Sequence, residues 1–186
     1  MKVCIVGHGP SLKGAKKGQL IDSHDYVVRM KLGQRLCKEN PEDYGTKTNV
    51  LVASTEVYGC FLNSDVRHKW GYPKNGWYDE VGAQRANVTV ELNICNYWNW
   101  QFRKLGGKHP NVSTGTAAII LAANFYNPGS ISLAGFDTLL NPKEKFSRIT
   151  EVPRTGSGEF PNHDWEKENE LLDYITEAYG VKINPL

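Results

Sequence analysis

The run Lys2-Val3-Cys4-Ile5-Val6, closed at once by Gly7-His8-Gly9-Pro10, constrains this chain more than any other feature. A short, unbroken, β-branched apolar run fits a strand covered on both faces, and the glycines force a tight turn at its end. Similar runs recur at Asp25–Met30, Asn49–Ala53, Ser130–Ala134 and Val181–Ile183, with Val88–Leu92 as a further strand. Between them lie helical patterns. One helix or helical turn follows Leu12. Another spans Tyr97–Leu105 and stops at Gly106-Gly107. The clearest spans Ser113–Tyr126, with Ser113 or Thr114 as N-cap and Asn127-Pro128-Gly129 as its stop. Asp164–Tyr179 sets Trp165, Leu172, Ile175 and Tyr179 near one face and ends at Gly180.

Strands alternating with helices predict an α/β sandwich: a mostly parallel central sheet flanked by helices. Its 186 residues fit one domain, 1–186, that hides roughly 70 per cent of its unfolded surface. Residues 54–87, rich in Gly, Asn and aromatics, give no assignment. Segment 141–162 is full of breakers and charges and reads as a mobile loop or lid. Ligands in such folds bind at the carboxyl ends of strands, which directs attention to the loops after Val6, Met30, Ala53 and Ala134.

Charge narrows the partners little. Twenty-two basic against 20 acidic residues leave a net charge of +2, so nucleic acid is not favoured, though it is not excluded as an acceptor. No apolar run approaches the roughly 18 residues of a membrane span. With no export signal, the expected location is cytoplasmic, with no membrane partner. Cys4, Cys37, Cys60 and Cys95 form no Cys-x-x-Cys pair and read as reduced thiols. No His-Glu-x-x-His, Cys/His cluster or Asp-x-Asp is present, so neither a metal nor any other cofactor is expected.

The turn Gly7-His8-Gly9-Pro10-Ser11-Leu12 is a partial dinucleotide fingerprint, with Leu12 where a third glycine would stand. It can cradle a phosphate, or it can be a tight strand-to-helix turn with no ligand. Read on to residue 31, the segment Val3–Gly14 followed by Ile21-Asp-Ser-His-Asp-Tyr-Val-Val-Arg-Met-Lys31 resembles the large sialyl motif of the animal-type sialyltransferases. Its Gly-Pro-Ser-Leu core is also similar to the bacterial sialyltransferases. Asp43-Tyr-Gly-Thr-Lys-Thr48 resembles the stretch that follows this motif. Val112-Ser113-Thr114-Gly115-Thr116 through Ala134-Gly135-Phe136 resembles the small motif, and His163-Asp-Trp-Glu-Lys-Glu168 the very small motif, His-x-x-x-x-Glu.

The resemblance implies a Rossmann-like, GT-A-variant, sialyltransferase-like fold. It implies a metal-independent, inverting glycosyltransferase that moves sialic acid, or a related acidic sugar, from a CMP-sugar donor to a glycan hydroxyl. It assigns the general base to His163; a neutral imidazole is available near neutral pH. Donor binding falls to Gly7, His8, Gly9, Pro10, Ser11, Lys31, Ser113, Thr114, Gly115, Gly135 and Phe136, with Glu168 supporting. Five residues along a helix is about 140 degrees, so His163 and Glu168 need not meet if both are helical.

Departures from the family pattern are specific. His8 and Lys31 replace asparagines. The small-motif cysteine that would pair with the large motif is replaced near Tyr126, leaving Cys4 without that partner. No third motif stands between Phe136 and His163, so its role is either absent or supplied elsewhere, with His8, Lys31, Arg148 and Arg154 as candidates to neutralise phosphate. Two alternatives therefore stay open. A pterin pyrophosphokinase-like transferase would need ATP and magnesium on Asp25, Asp137 or Glu56. A non-catalytic nucleotide-sugar binding module would need no turnover. The aromatic run Tyr97–Phe102 is either helix core or a sugar-stacking surface, and Lys13, Lys16 and Lys17 read as a solvated cluster.

Overall fold

The computed structural model describes residues 1–30, 33–54, 59–62, 64–73, 80–142 and 163–186. Strand β1 (Lys2–Val6) passes through a 3-10 turn, Pro10–Leu12, into α1 (Gly18–Asp22), β2 (Tyr26–Met30), α2 (Gly33–Glu39), α3 (Pro41–Tyr44) and β3 (Val50–Ser54). Then come α4 (Gly59–Leu62), β4 (His68–Tyr72), α5 (Glu80–Ala86), β5 (Thr89–Val90), α6 (Leu92–Lys104) and α7 (Thr114–Tyr126). The chain ends with β6 (Ser130–Ala134), α8 (Asp137–Leu140), α9 (Trp165–Tyr179) and β7 (Lys182–Pro185).

The strands form one sheet in the order β5-β4-β3-β2-β1-β6-β7. Every adjacent pair is parallel, so the expected α/β class holds. The order runs outward from β1 in both directions. The switch point therefore lies between β1 and β6, where an open α/β sheet leaves a crevice at its carboxyl edge.

Alternation along the strands divides the core. Val3, Ile5, Val28, Met30, Val50 and Val52 pack toward α7, while Cys4, Val6 and Val27 join Ile21, Cys37 and Tyr44 on the other face. Helix α7 buries Ala117 through Ala123 without a break because it lies between the sheet and helices α6 and α9. Ser113 caps it, its side chain accepting from the Thr116 amide, and Asn127 ends it in the left-handed conformation with φ 40°.

Several boundaries differ from the sequence reading. The strand expected at Val88–Leu92 pairs only through Thr89 and Val90, and α6 begins at Leu92 rather than Tyr97. The last strand is Lys182–Pro185 rather than Val181–Ile183. Strand β4 and helices α4 and α5 fall in the stretch that gave no assignment. Of the expected lid, residues 143–162 lie outside the described residues.

Cys4, Cys37 and Cys95 are free and buried. Burial pushes the Cys4 and Cys95 thiols up to about 12 and raises Cys37 as well, so all three are poor nucleophiles. At the end of α7, the Tyr126 ring stacks on Tyr26 at 4.3 Å. An aromatic pair thus ties α7 to β2 where the resemblance placed a cysteine.

Candidate active site

At the switch point the loops after β1 and β6 lie against each other. The Gly7 amide donates to the Ala134 carbonyl (2.7 Å) and the Gly9 amide to Gly135 (2.8 Å). A Cβ on Gly7 would overlap the Gly135 carbonyl and crowd the Phe136 ring. A Cβ on Gly9 would lie 2.6 Å from Asp137 Oδ2. Gly135 itself has φ +67°, which favours glycine. The glycines read as ligand-approach residues are thus also what lets two loops touch.

The remaining turn residues are tied to their neighbours. His8 Nε2 donates to the Met30 carbonyl at 3.1 Å, joining the turn to the end of β2. Pro10 opens the 3-10 turn and is exposed. The Ser11 amide donates to Asp137 Oδ2 at 2.9 Å, and its hydroxyl donates to Asp137 Oδ1.

The small-motif residues reach the same edge. A Cβ on Gly115 would lie 2.9 Å from the Phe136 ring and 3.6 Å from Met30 Sδ. Ser113, Thr114 and Gly115 therefore start α7 beside Phe136, which in turn lies against Gly7. As at any helix start, the Thr114 and Gly115 amides have no intrahelical carbonyl.

Glu168 joins this cluster to His163. Its side chain is fully buried, yet it comes from α9. Oε2 accepts from the Ser113 amide (3.1 Å) and the Thr116 hydroxyl (2.5 Å). Oε1 lies 3.3 Å from His163 Nδ1. The His163 side chain is 24% exposed, and its ring lies 4.7 Å from that of Trp165. Helix α9 starts at Trp165 with Asp164 as its cap, so His163 stands outside it and no helical angle separates the two side chains. A carboxylate at the start of α7 also meets the positive end of that helix.

Beneath the cluster runs a buried polar network that sequence reasoning missed. Asn99 Oδ1 accepts from the Tyr72 hydroxyl and from the Val112 amide (3.1 Å), and Asn99 Nδ2 donates to Asn111 (3.1 Å). Burial raises the Tyr72 hydroxyl well above its ordinary range, and the nearby Cys95 and Glu168 add to this against the Asn99 hydrogen bond. The network holds the chain just before Ser113. Nothing in a lone Asn inside an aromatic run signals this.

Other candidates sit elsewhere. Lys31, Arg148, Arg154 and Glu56 lie outside the described residues. Asp25 accepts from the Lys2 amide at the amino edge of the sheet, whereas Asp137 follows β6 at the carboxyl edge. The two stand at opposite ends of five-residue strands, roughly 17 Å apart, too far to share a magnesium ion. Among the described residues, no group of three His, Cys, Asp or Glu side chains is placed to hold a metal. No helix among them is long and apolar enough to cross a membrane. In the aromatic run, Trp98 and Phe102 are core while Tyr97 and Trp100 are exposed, and Lys104 lies 4.5 Å over the Trp100 ring. Lys17 donates to the Leu186 carbonyl rather than standing in a solvated cluster. A cavity of about 440 Å³ beside α2 and α3, walled by Gln34, Cys37 and Thr48, touches none of the candidate residues described here.

Comparison with known proteins bears on the fold. The sequence profile of glycosyltransferase family 29 (sialyltransferase) matches residues 1–75, the part holding the glycine turn and β2. Alpha-N-acetylgalactosaminide alpha-2,6-sialyltransferase 2 of Mus musculus is 30% identical over 98 residues, which cover 52% of this chain and 24% of that protein. The match thus spans about a quarter of the length of that curated relative. A crystal structure of a mammalian sialyltransferase superposes on 98% of this chain and 68% of its own, with a TM-score of 0.64 at 19% identity. A mammalian sialyltransferase in complex with Gal-beta-1-3GalNAc-ortho-nitrophenol superposes over the same shares, with a TM-score of 0.57 at 18% identity. The fold is sialyltransferase-like, and the resemblance to that family carried by the motifs stands.

Proposed function

We propose that this chain is a sialyltransferase-like glycosyltransferase that moves sialic acid, or a related acidic sugar, from a CMP-sugar to a glycan hydroxyl with inversion and without a metal. The observation that carries this reading is the link from His163 through Glu168 to Ser113. Nδ1 and Glu168 Oε1 lie 3.3 Å apart without forming a hydrogen bond in this geometry, and because a carboxylate only accepts, their approach favours the tautomer with the proton on Nδ1. Nε2 then keeps its lone pair. It takes the proton of the acceptor hydroxyl as that oxygen bonds to the anomeric carbon, and CMP departs from the opposite face with the bonding electrons.

The departing phosphate needs charge stabilisation that is already in place. The Thr114 and Gly115 amides at the start of the 13-residue α7 supply it. The same helix start would serve the sialic acid carboxylate, so both donor anions belong on the Ser113–Gly115 side. Gly7, Gly9, Gly135 and Phe136 shape the neighbouring wall. His8 and Lys31 flank the loops at the ends of the first two strands.

A melting-temperature panel of CMP-, UDP- and GDP-sugars, with and without EDTA, tests the donor. Stabilisation by the CMP-sugar that EDTA leaves unchanged supports the proposal. Stabilisation only by a UDP- or GDP-sugar, or only with a divalent ion, contradicts it.

A further inference from the structure

We propose that Asp137 is a specificity-determining residue that selects a nucleoside monophosphate-linked donor over a nucleoside diphosphate-linked one. This rests on the CMP-sugar reading and deepens it. In phosphate-binding turns the loop's amides and hydroxyls point at the ligand. Here the Gly7, Gly9 and Ser11 amides and the Ser11 hydroxyl are already taken. Asp137 Oδ2 accepts the Ser11 amide at 2.9 Å and Oδ1 accepts the Ser11 hydroxyl, one bond to each oxygen.

The seat is built for a carboxylate. Gly9 leaves room for it, since a Cβ there would lie 2.6 Å from Oδ2. Asp137 follows directly on the Gly135-Phe136 pair that packs against Gly7 and Gly115. The carboxylate thus occupies the switch point, where a nucleotide must approach. It is half-buried under an exposed Ser11, and among the described residues no lysine or arginine forms an ion pair with it. One phosphate can stay on the α7 side. A second phosphate on the glycine-turn side would add a negative charge facing a carboxylate that already holds both Ser11 donors. Repulsion between unit charges a few ångströms apart near a protein surface, reduced by salt, corresponds to about a tenfold difference in affinity.

Calorimetric titration of the wild type and Asp137→Asn with CMP and with CDP tests this, since the two ligands share base and ribose. The wild type should prefer CMP. The variant, shown to be folded by its melting curve, should bind CDP about tenfold more tightly while its CMP affinity stays within about twofold. If the variant does not fold, titration of the wild type across salt gives the second readout. The CMP preference should shrink between about 0.05 and 1 M salt. An unchanged CMP-to-CDP ratio in the folded variant, or across salt, overturns the role of Asp137 alone. Failure of the wild type to bind either nucleotide overturns the donor reading and this inference with it.

Discussion

The buried Glu168 carboxylate lies 3.3 Å from His163 Nδ1 with one oxygen and accepts from Ser113 and Thr116 with the other. One side chain thereby fixes both the imidazole assigned as base and the helix start assigned to the donor anions. Separating those two tasks is the first use of mutagenesis here.

Glu168→Gln keeps the shape but can turn an NH₂ toward His163. Nδ1 would then accept, the proton would move to Nε2, and the base would be lost. CMP release should fall by about 10²- to 10⁴-fold in kcat, the scale seen when a histidine base is held in the wrong tautomer, with little change in donor affinity. Glu168→Ala instead leaves the Ser113 amide and Thr116 hydroxyl buried without an acceptor. Urea unfolding should show a loss of about 2–5 kcal/mol. Equal stability losses in both variants would argue that the residue only braces the fold.

Gly115→Ala places a methyl 2.9 Å from the buried Phe136 ring. The ring has little room to move, so the melting temperature should drop by an amount equivalent to about 1–3 kcal/mol, and the donor KM should rise. A fully stable Gly115→Ala protein would show that the Phe136 wall yields, contrary to the packing described.

Acid should destabilise the protein through two aspartates. Partial burial alone would raise the Asp22 carboxyl, but hydrogen bonds from the Thr46 amide and hydroxyl and the Lys47 amide, with the Arg29 charge, hold it below the usual range. The Gly14 and Lys16 amides do the same for Asp43. A carboxyl whose folded-state value is depressed stabilises the fold fully above its unfolded value, near pH 4, and loses that contribution as pH falls through the folded value. Unfolding free energy should therefore decline below about pH 4, and Asp22→Asn or Asp43→Asn should flatten the decline. Denaturant melts across that range provide the check; a slope identical to the wild type in both variants would exclude these groups.

Much of this was legible in the residues. Short apolar strands read correctly because burial on both faces leaves no room for polar alternation, as in β1 and β3. Of the two expected caps, Ser113 or Thr114, the structure uses Ser113, whose hydroxyl accepts from the Thr116 amide. The helix over Tyr97–Leu105 read correctly but its start did not, since Val88 and Val90 mimic a strand whose edge pairing ends after two residues. Within α6, Cys95, Trp98 and Phe102 recur at helical spacing and are core, a separation that the count of aromatics alone hides. The contact between His163 and Glu168 depended on where α9 begins: with Asp164 as its cap, His163 stands outside the helix. Asp137 stood out only as a possible magnesium ligand; its tie to Ser11 gave no signal, because the two are 126 positions apart in the chain.

In the proposed reaction His163 removes the acceptor proton while other groups hold the donor. CMP release from the CMP-sugar, measured alongside donor affinity for the wild type and His163→Ala, tests it most directly. Turnover should be lost in the variant and donor affinity kept. Normal turnover in a folded His163→Ala protein would contradict it.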